Sequence, residues 1–130
     1  KSDFFRNADI ITLHLRLNDE TTGIVTESDL LDMKKEAIII NTSRAELIAT
    51  GALASALKKG HPGFAAVDVY EQEPVYDPDY ELLQMPNVIC TPHLGYVEQN
   101  SYELYFEKAF ENVTHYASGK PANIVNPEVL

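Results

Sequence analysis

Short apolar runs alternate along the chain with segments of helical spacing. The first, Ala8 to His14 (ADIITLH), is apolar at consecutive positions, which predicts a buried strand. Thr26-Glu27-Ser28-Asp29 sets a hydroxyl and an acid three residues apart, directly before Leu30, Leu31 and Met33, as a capped helix start requires. Ala37 to Asn41 (AIIIN), β-branched and too short for an independent helix, predicts a second strand followed by the loop NTSRAEL. Thr50 is expected to cap a second helix, with Leu53 and Leu57 four apart and Gly60 at its end. Phe64 to Val69 (FAAVDV) reads as a third strand. Glu71 to Pro86, with Pro74, Pro78 and Pro86, reads as irregular, and Val88 to Cys90 as a short fourth strand ended by Thr91-Pro92. After Gly95, Tyr102, Phe106, Ala109, Val113 and Tyr116 recur at spacings of four and three, one face of a long helix closed by Gly119 and Pro121.

Strands alternating with helices imply right-handed crossovers and a mainly parallel sheet covered on both faces. The expected class is α/β, with half or more of a doubly wound, Rossmann-like domain. In such sheets ligands bind at the carboxyl ends of the strands. That is where this chain places His14, the NTSR loop, Asp68 with the EQEP loop, and Thr91-Pro92-His93.

Composition narrows the classes. With 45% hydrophobic and 23% charged residues the chain resembles an ordinary folded domain. Twenty acidic against 10 basic side chains give a formal charge of -10, which would repel a nucleic-acid backbone or an anionic membrane surface. The single cysteine, Cys90, has no internal disulfide partner, and no Cys/His pair has the spacing of a structural zinc site. The expectation is a cytoplasmic protein with no metal, no nucleic-acid partner and no membrane segment.

Taken singly, the strand-end residues have structural readings beside chemical ones. Arg44 is either a surface ion-pairing residue or a fork that grips a carboxylate with two parallel hydrogen bonds. Asp68, in an apolar strand end, either caps a helix or is ion-paired, or faces a ligand. Glu73 is either a solvated loop charge or a partner for a base. His93 is either a satisfied structural histidine or a proton-exchanging one. His14, His61 and His115 have weaker chemical readings, with His61 in GHPG expected at the surface.

Order and context join these residues. ADIITLHLRLNDETTGIV, IIINTSRAELI, GFAAVDVYEQEP and NVICTPHLG, in that order, resemble the NAD-binding domain of the D-isomer-specific 2-hydroxyacid dehydrogenases over nearly the whole chain. The resemblance implies that residues 1–118 are the second half of a dinucleotide-binding domain and 119–130 a tail returning to a substrate domain. It implies three catalytic residues: Arg44 binds the substrate carboxylate, His93 is the acid/base and Glu73 supports His93. Asp68 contacts the nicotinamide carboxamide, and His14, Leu15, Arg16, Thr42, Ser43, Arg44 and His93 line the cofactor. Two positions depart from the family pattern, Arg16 where most relatives have Pro and Ala49 where Asp is frequent, with Thr50 available as the cap instead.

The implied reaction transfers a hydride between NAD(H) and a small 2-hydroxy or 2-keto acid, in a parent protein expected to be a homodimer. An alternative within the family is an NAD(H)-sensing corepressor. Glu73 stands where the family's formate dehydrogenases have Gln, which turns the expectation away from formate. A G-x-G-x-x-G loop and the acid that follows it do not occur in the chain. It is therefore expected to be a fragment of a longer enzyme that binds NAD weakly on its own, and the choice between NAD and NADP stays open.

Overall fold

The computed structural model describes residues 1–129, and the chain divides into two compact units after Gly95. The first unit contains α1 (Ser2–Asn7), β1 (Ile10–Leu13), α2 (Glu27–Leu31), β2 (Ile38–Asn41), α3 (Ala52–Lys58), β3 (Phe64–Val67) and β4 (Val88–Cys90), with short 3₁₀ turns at Ala45–Leu47 and Glu81–Gln84. The strands pair in parallel in the order β1-β2-β3-β4. All four carboxyl ends therefore lie along one edge, and the four loops leaving them are neighbours.

The core lies on one face of this sheet. Ile11, Leu13, Ile39, Ala65 and Val67 point into it and meet Leu30, Met33, Leu47, Ala56, Leu57 and Leu82 from the connections. On the other face Ile10 (61%), Phe64 (49%) and Ile89 (68%) are exposed. This corrects the expectation of a sheet covered on both faces. Each crossover moves one strand further in the same direction, and right-handed connections between parallel strands taken in that sense all fall on the same side. Helices reach the second face only where the strand order reverses, and these four strands contain no reversal.

Local signals decided most boundaries. Thr26 and Asp29 form the expected reciprocal cap of α2: the Thr26 hydroxyl accepts from the Asp29 N–H at 3.3 Å, and the Asp29 carboxylate accepts from the Thr26 N–H at 2.8 Å. The cap of α3 differs from expectation, because Gly51, not Thr50, occupies that position and no side chain bonds there. The Ala52 N–H donates to the Ala49 carbonyl at 2.9 Å, and Gly51 has φ 73°, ψ −8°, the values a type II turn demands of its third residue. This turn sets the entry to α3, so a hydroxyl cap is not used. Helix α1 went unforeseen, since six residues with no side-chain cap carry almost no periodic signal. His61 is half-buried, with Nδ1 2.7 Å from the Met33 carbonyl, and not at the surface as expected.

The second unit holds α4 (Gln99–Ala117) and a short 3₁₀ turn at Pro127–Val129. The Glu98 carboxylate caps α4 by accepting from the N–H groups of Asn100 (3.0 Å) and Ser101 (2.7 Å), and Gly119, at φ 71°, follows its end. Tyr102, Phe106 and Phe110 run along one side of the helix, with ring centroids 5.7 and 6.5 Å apart. Residue 130, the last of the expected tail, lies outside the described residues. Among the described residues no helix is long and apolar enough to cross a membrane.

Candidate active site

The site begins at the end of β2. Asn41 sits on the core-facing side of the strand, two residues after Ile39, and is 2% exposed. Its side-chain NH₂ donates to the Arg44 carbonyl at 2.9 Å, and its side-chain oxygen accepts from the Ser43 N–H at 3.1 Å. A buried amide bonded to its own loop in this way fixes the turn that presents Arg44. The Ser43 hydroxyl donates to the Leu15 carbonyl at 2.9 Å, which ties this loop to the one after β1. The Arg44 guanidinium is exposed and donates to the Ser43 carbonyl at 2.6 Å. His14 pairs through Nε2 with the Thr12 hydroxyl at 2.9 Å, and Thr42 is exposed beside these loops.

At the end of β3, Asp68 is 3% exposed. It is neither a helix cap nor an ion pair. Oδ1 accepts from the Thr91 hydroxyl (2.5 Å) and the Leu94 N–H (2.8 Å), and Oδ2 accepts from the Gly95 N–H (2.7 Å). Burial pulls this carboxyl up, yet the bonds from Thr91, Leu94 and Gly95 outweigh burial and hold it below its ordinary value. Asp68 thus shapes the turn that carries His93.

The Asp68→Asn variant tests this. An amide cannot accept from both fixed N–H groups, so one of them loses its partner, at a cost of about 1–3 kcal/mol. The expected result is a lowered unfolding midpoint near neutral pH. Because the folded-state value is depressed, the stabilisation is complete above the ordinary 3.8 and is lost as pH falls through the lower folded value. The unfolding curves of the two proteins should draw together only as pH falls below 3.8 and meet below the still lower folded value; a gap that persists there would show that ionised Asp68 is not the source.

Glu73 and His93 meet although 20 residues separate them. His93 Nδ1 lies 2.6 Å from Glu73 Oε2, with the side chains 36% and 34% exposed. Glu73 Oε1 accepts from the Tyr70 N–H at 2.8 Å. The hydrogen bond from His93 is the main influence holding the Glu73 carboxyl below the usual range; partial burial opposes it and the Tyr70 N–H reinforces it. An ionised carboxylate only accepts, so Nδ1 carries the hydrogen and Nε2 is the ring position for proton exchange. His93 has φ 56°, in the left-handed region.

Arg44, Glu46, Tyr70, Glu71, Glu73 and His93 line one polar cavity of about 310 Å³. Beside it, His14, Leu15, Arg16, Leu17, Ser43 and Arg44 line a second cavity of about 340 Å³. Arg44 is common to both. A guanidinium and a carboxylate-held imidazole on one cavity can bind a small anion and exchange a proton with it. The structure therefore brings the three expected catalytic residues together, with His14, Leu15, Arg16 and Ser43 alongside. Asn41 and Thr91, expected at the strand ends as parts of the NTSR loop and the Thr91-Pro92-His93 turn, and Tyr70 had no individual role in the sequence reading. The signal for Asn41 was a polar residue with the same strand parity as Ile39. Among the described residues no group of three or more His, Cys, Asp or Glu side chains is placed to hold a metal.

Comparison with known proteins identifies the family and the fold. Residues 1–95 match the model of the D-isomer specific 2-hydroxyacid dehydrogenase NAD binding domain. Over 129 residues the chain is 41% identical to a glyoxylate reductase of Aeropyrum pernix, covering 98% of this chain and 38% of that protein. The crystal structure of a phosphoglycerate oxidoreductase from Vibrio cholerae superposes with a TM-score of 0.83 at 56% identity, over 91% of this chain and 38% of that one. A D-lactate dehydrogenase with NAD+ from Lactobacillus jensenii gives 0.79 at 33% identity, over 95% and 41%. The chain thus spans about 38% of the length of the curated relatives it matches.

Proposed function

Because the chain belongs to the D-isomer-specific 2-hydroxyacid dehydrogenase family, within its NAD-binding domain, we propose that it forms the nicotinamide-side wall of the active site in a longer enzyme that interconverts small 2-keto and D-2-hydroxy acids. The observation that carries this reading is the Glu73–His93 pair on the same cavity as Arg44. The structure also suits the cofactor. Exposed Leu15 and the cationic Arg16 and Arg44 line one cleft, so an apolar surface for a flat ring stands next to charges for its polar attachments.

In this reading Arg44 holds the substrate carboxylate and orients the keto carbon, which is a large share of the catalysis. When bound, NAD(H) supplies or accepts the hydride. His93 donates a proton from Nε2 to the keto oxygen during reduction and takes the hydroxyl proton during oxidation. Glu73 keeps the imidazole in the tautomer and orientation that this needs. Asp68 positions the His93 turn, and the family resemblance gives it the nicotinamide carboxamide as a further partner. Residues 119–130 lead back to the substrate domain.

The test is to follow NADH consumption by the full-length protein with glyoxylate, hydroxypyruvate and pyruvate, and to repeat it with NADPH. Turnover of at least one keto acid, abolished with an uncharged analogue lacking the carboxylate, is expected. No turnover with any of them, despite measurable NADH binding, would overturn the enzymatic reading.

A further inference from the structure

Between Glu73 and His93 stands a residue that neither the family match nor the acid/base assignment uses. Tyr70 bonds to the segments of both partners. Its N–H donates to Glu73 Oε1 at 2.8 Å, and its hydroxyl donates to the Thr91 carbonyl at 2.8 Å. That same carbonyl accepts from the His93 N–H at 3.0 Å, closing the tight turn in which His93 takes its left-handed backbone. One side chain therefore spans from the loop that carries the carboxylate to the turn that carries the imidazole.

Tyr70 is itself immobilised. Its ring meets Tyr80 edge to face, with centroids 5.8 Å apart and planes at 80°, and both rings pack against the apolar core. Burial pushes its hydroxyl well above the usual tyrosine range, so near neutral pH it keeps the proton that it donates to the Thr91 carbonyl.

We infer that Tyr70 is a positioning residue for the acid/base pair: its hydroxyl fixes the His93 turn while its N–H fixes Glu73, so that the 2.6 Å contact is held without either partner being buried. A network of this kind acts as a unit, and loss of one member is felt at the others. The inference rests on the dehydrogenase reading above for its catalytic consequence, but not for its geometry.

Tyr70→Phe removes only the hydroxyl and keeps the edge-to-face contact. In the full-length protein kcat for keto-acid reduction should fall about tenfold, because a displacement of the imidazole well under 1 Å is enough for this, while KM stays within about twofold since Arg44 is untouched. The thermal midpoint should move little. Proton NMR of protein with ¹⁵N-labelled histidine should show the downfield Nδ1 proton of the His93–Glu73 bond broadened or lost. In a Glu73→Gln background the same Tyr70→Phe change should cost clearly less in kcat, since the His93–Glu73 contact that the placed turn serves is already weakened.

Unchanged kcat and an unchanged Nδ1 proton signal would overturn the inference. So would a lower thermal midpoint with apparent kcat falling only in proportion to folded protein and KM unchanged, which is the pattern of a purely structural tyrosine. If the unsubstituted protein turns over no keto acid, the dehydrogenase reading fails instead, and the Nδ1 proton signal still decides whether Tyr70 holds the pair.

Discussion

Replacing His93 with Asn is expected to lower kcat of the full-length protein by about 10³-fold, with KM and the unfolding midpoint little changed. That is close to 4 kcal/mol of barrier, the scale at which a positioned acid/base group acts. Asn is the informative replacement for two reasons. His93 has φ 56°, a conformation that Asn tolerates better than other non-glycine residues, so the turn is kept. The Asn amide also retains an N–H donor for Glu73 while lacking any group that exchanges a proton near neutral pH. Steady-state kinetics with saturating NADH give the answer: a loss of less than about tenfold would remove His93 from the role of acid/base.

The second large effect concerns the fold. Gly63 lies at the start of β3, and a Cβ built on it would stand 1.9 Å from the Lys35 carbonyl oxygen and 3.1 Å from the carbon. Both atoms are backbone, in the turn that leads into β2, so no side chain can rotate away. The two segments would have to part by more than about 1 Å to reach ordinary contact. That separation would break the bond from the Phe64 N–H to the Ala37 carbonyl and disturb the one from the Asn87 side chain to the Gly63 carbonyl. Gly63→Ala should therefore cost at least about 3 kcal/mol, a large part of a domain's stability. Gly51→Ala is the matched control, because φ 73° is strained for alanine but nothing lies within 4 Å of the new Cβ. It should cost only about 1–2 kcal/mol. Urea unfolding of the three proteins, or soluble yield where Gly63→Ala does not accumulate, ranks them; equal losses for the two variants would refute the close-approach argument.

The strand-end chemistry was readable because the residues concerned fall directly after apolar runs. Arg44 follows AIIIN-Thr-Ser, Asp68 ends FAAV, and His93 follows VIC-Thr-Pro, so a parallel arrangement of those runs was enough to put them along one edge. The capping box at Thr26 and Asp29 was equally legible, since both partners lie within one helical turn. Signals of longer range were not. The turn at Gly51 displaced the cap expected at Thr50 through a backbone bond that composition does not encode. The continuous apolar runs suggested burial on both faces, but which face receives helices depends on the direction of successive crossovers, and that is a property of strand order.

The sequence by itself determined the parallel α/β architecture, the edge at which chemistry collects and the residue types gathered there, because hydrophobic period and strand-end position are local properties. Only the tertiary structure decided how those residues are held. Asp68 turns inward onto the backbone of the His93 turn, Asn41 is buried to aim Arg44, and Tyr70 spans two loops that lie 20 residues apart. The bonds of Asp68 and Tyr70 join groups brought within 3 Å by the pairing of β3 with β4, and hydrogen bonds of that length depend on where the chain returns, which no local pattern records.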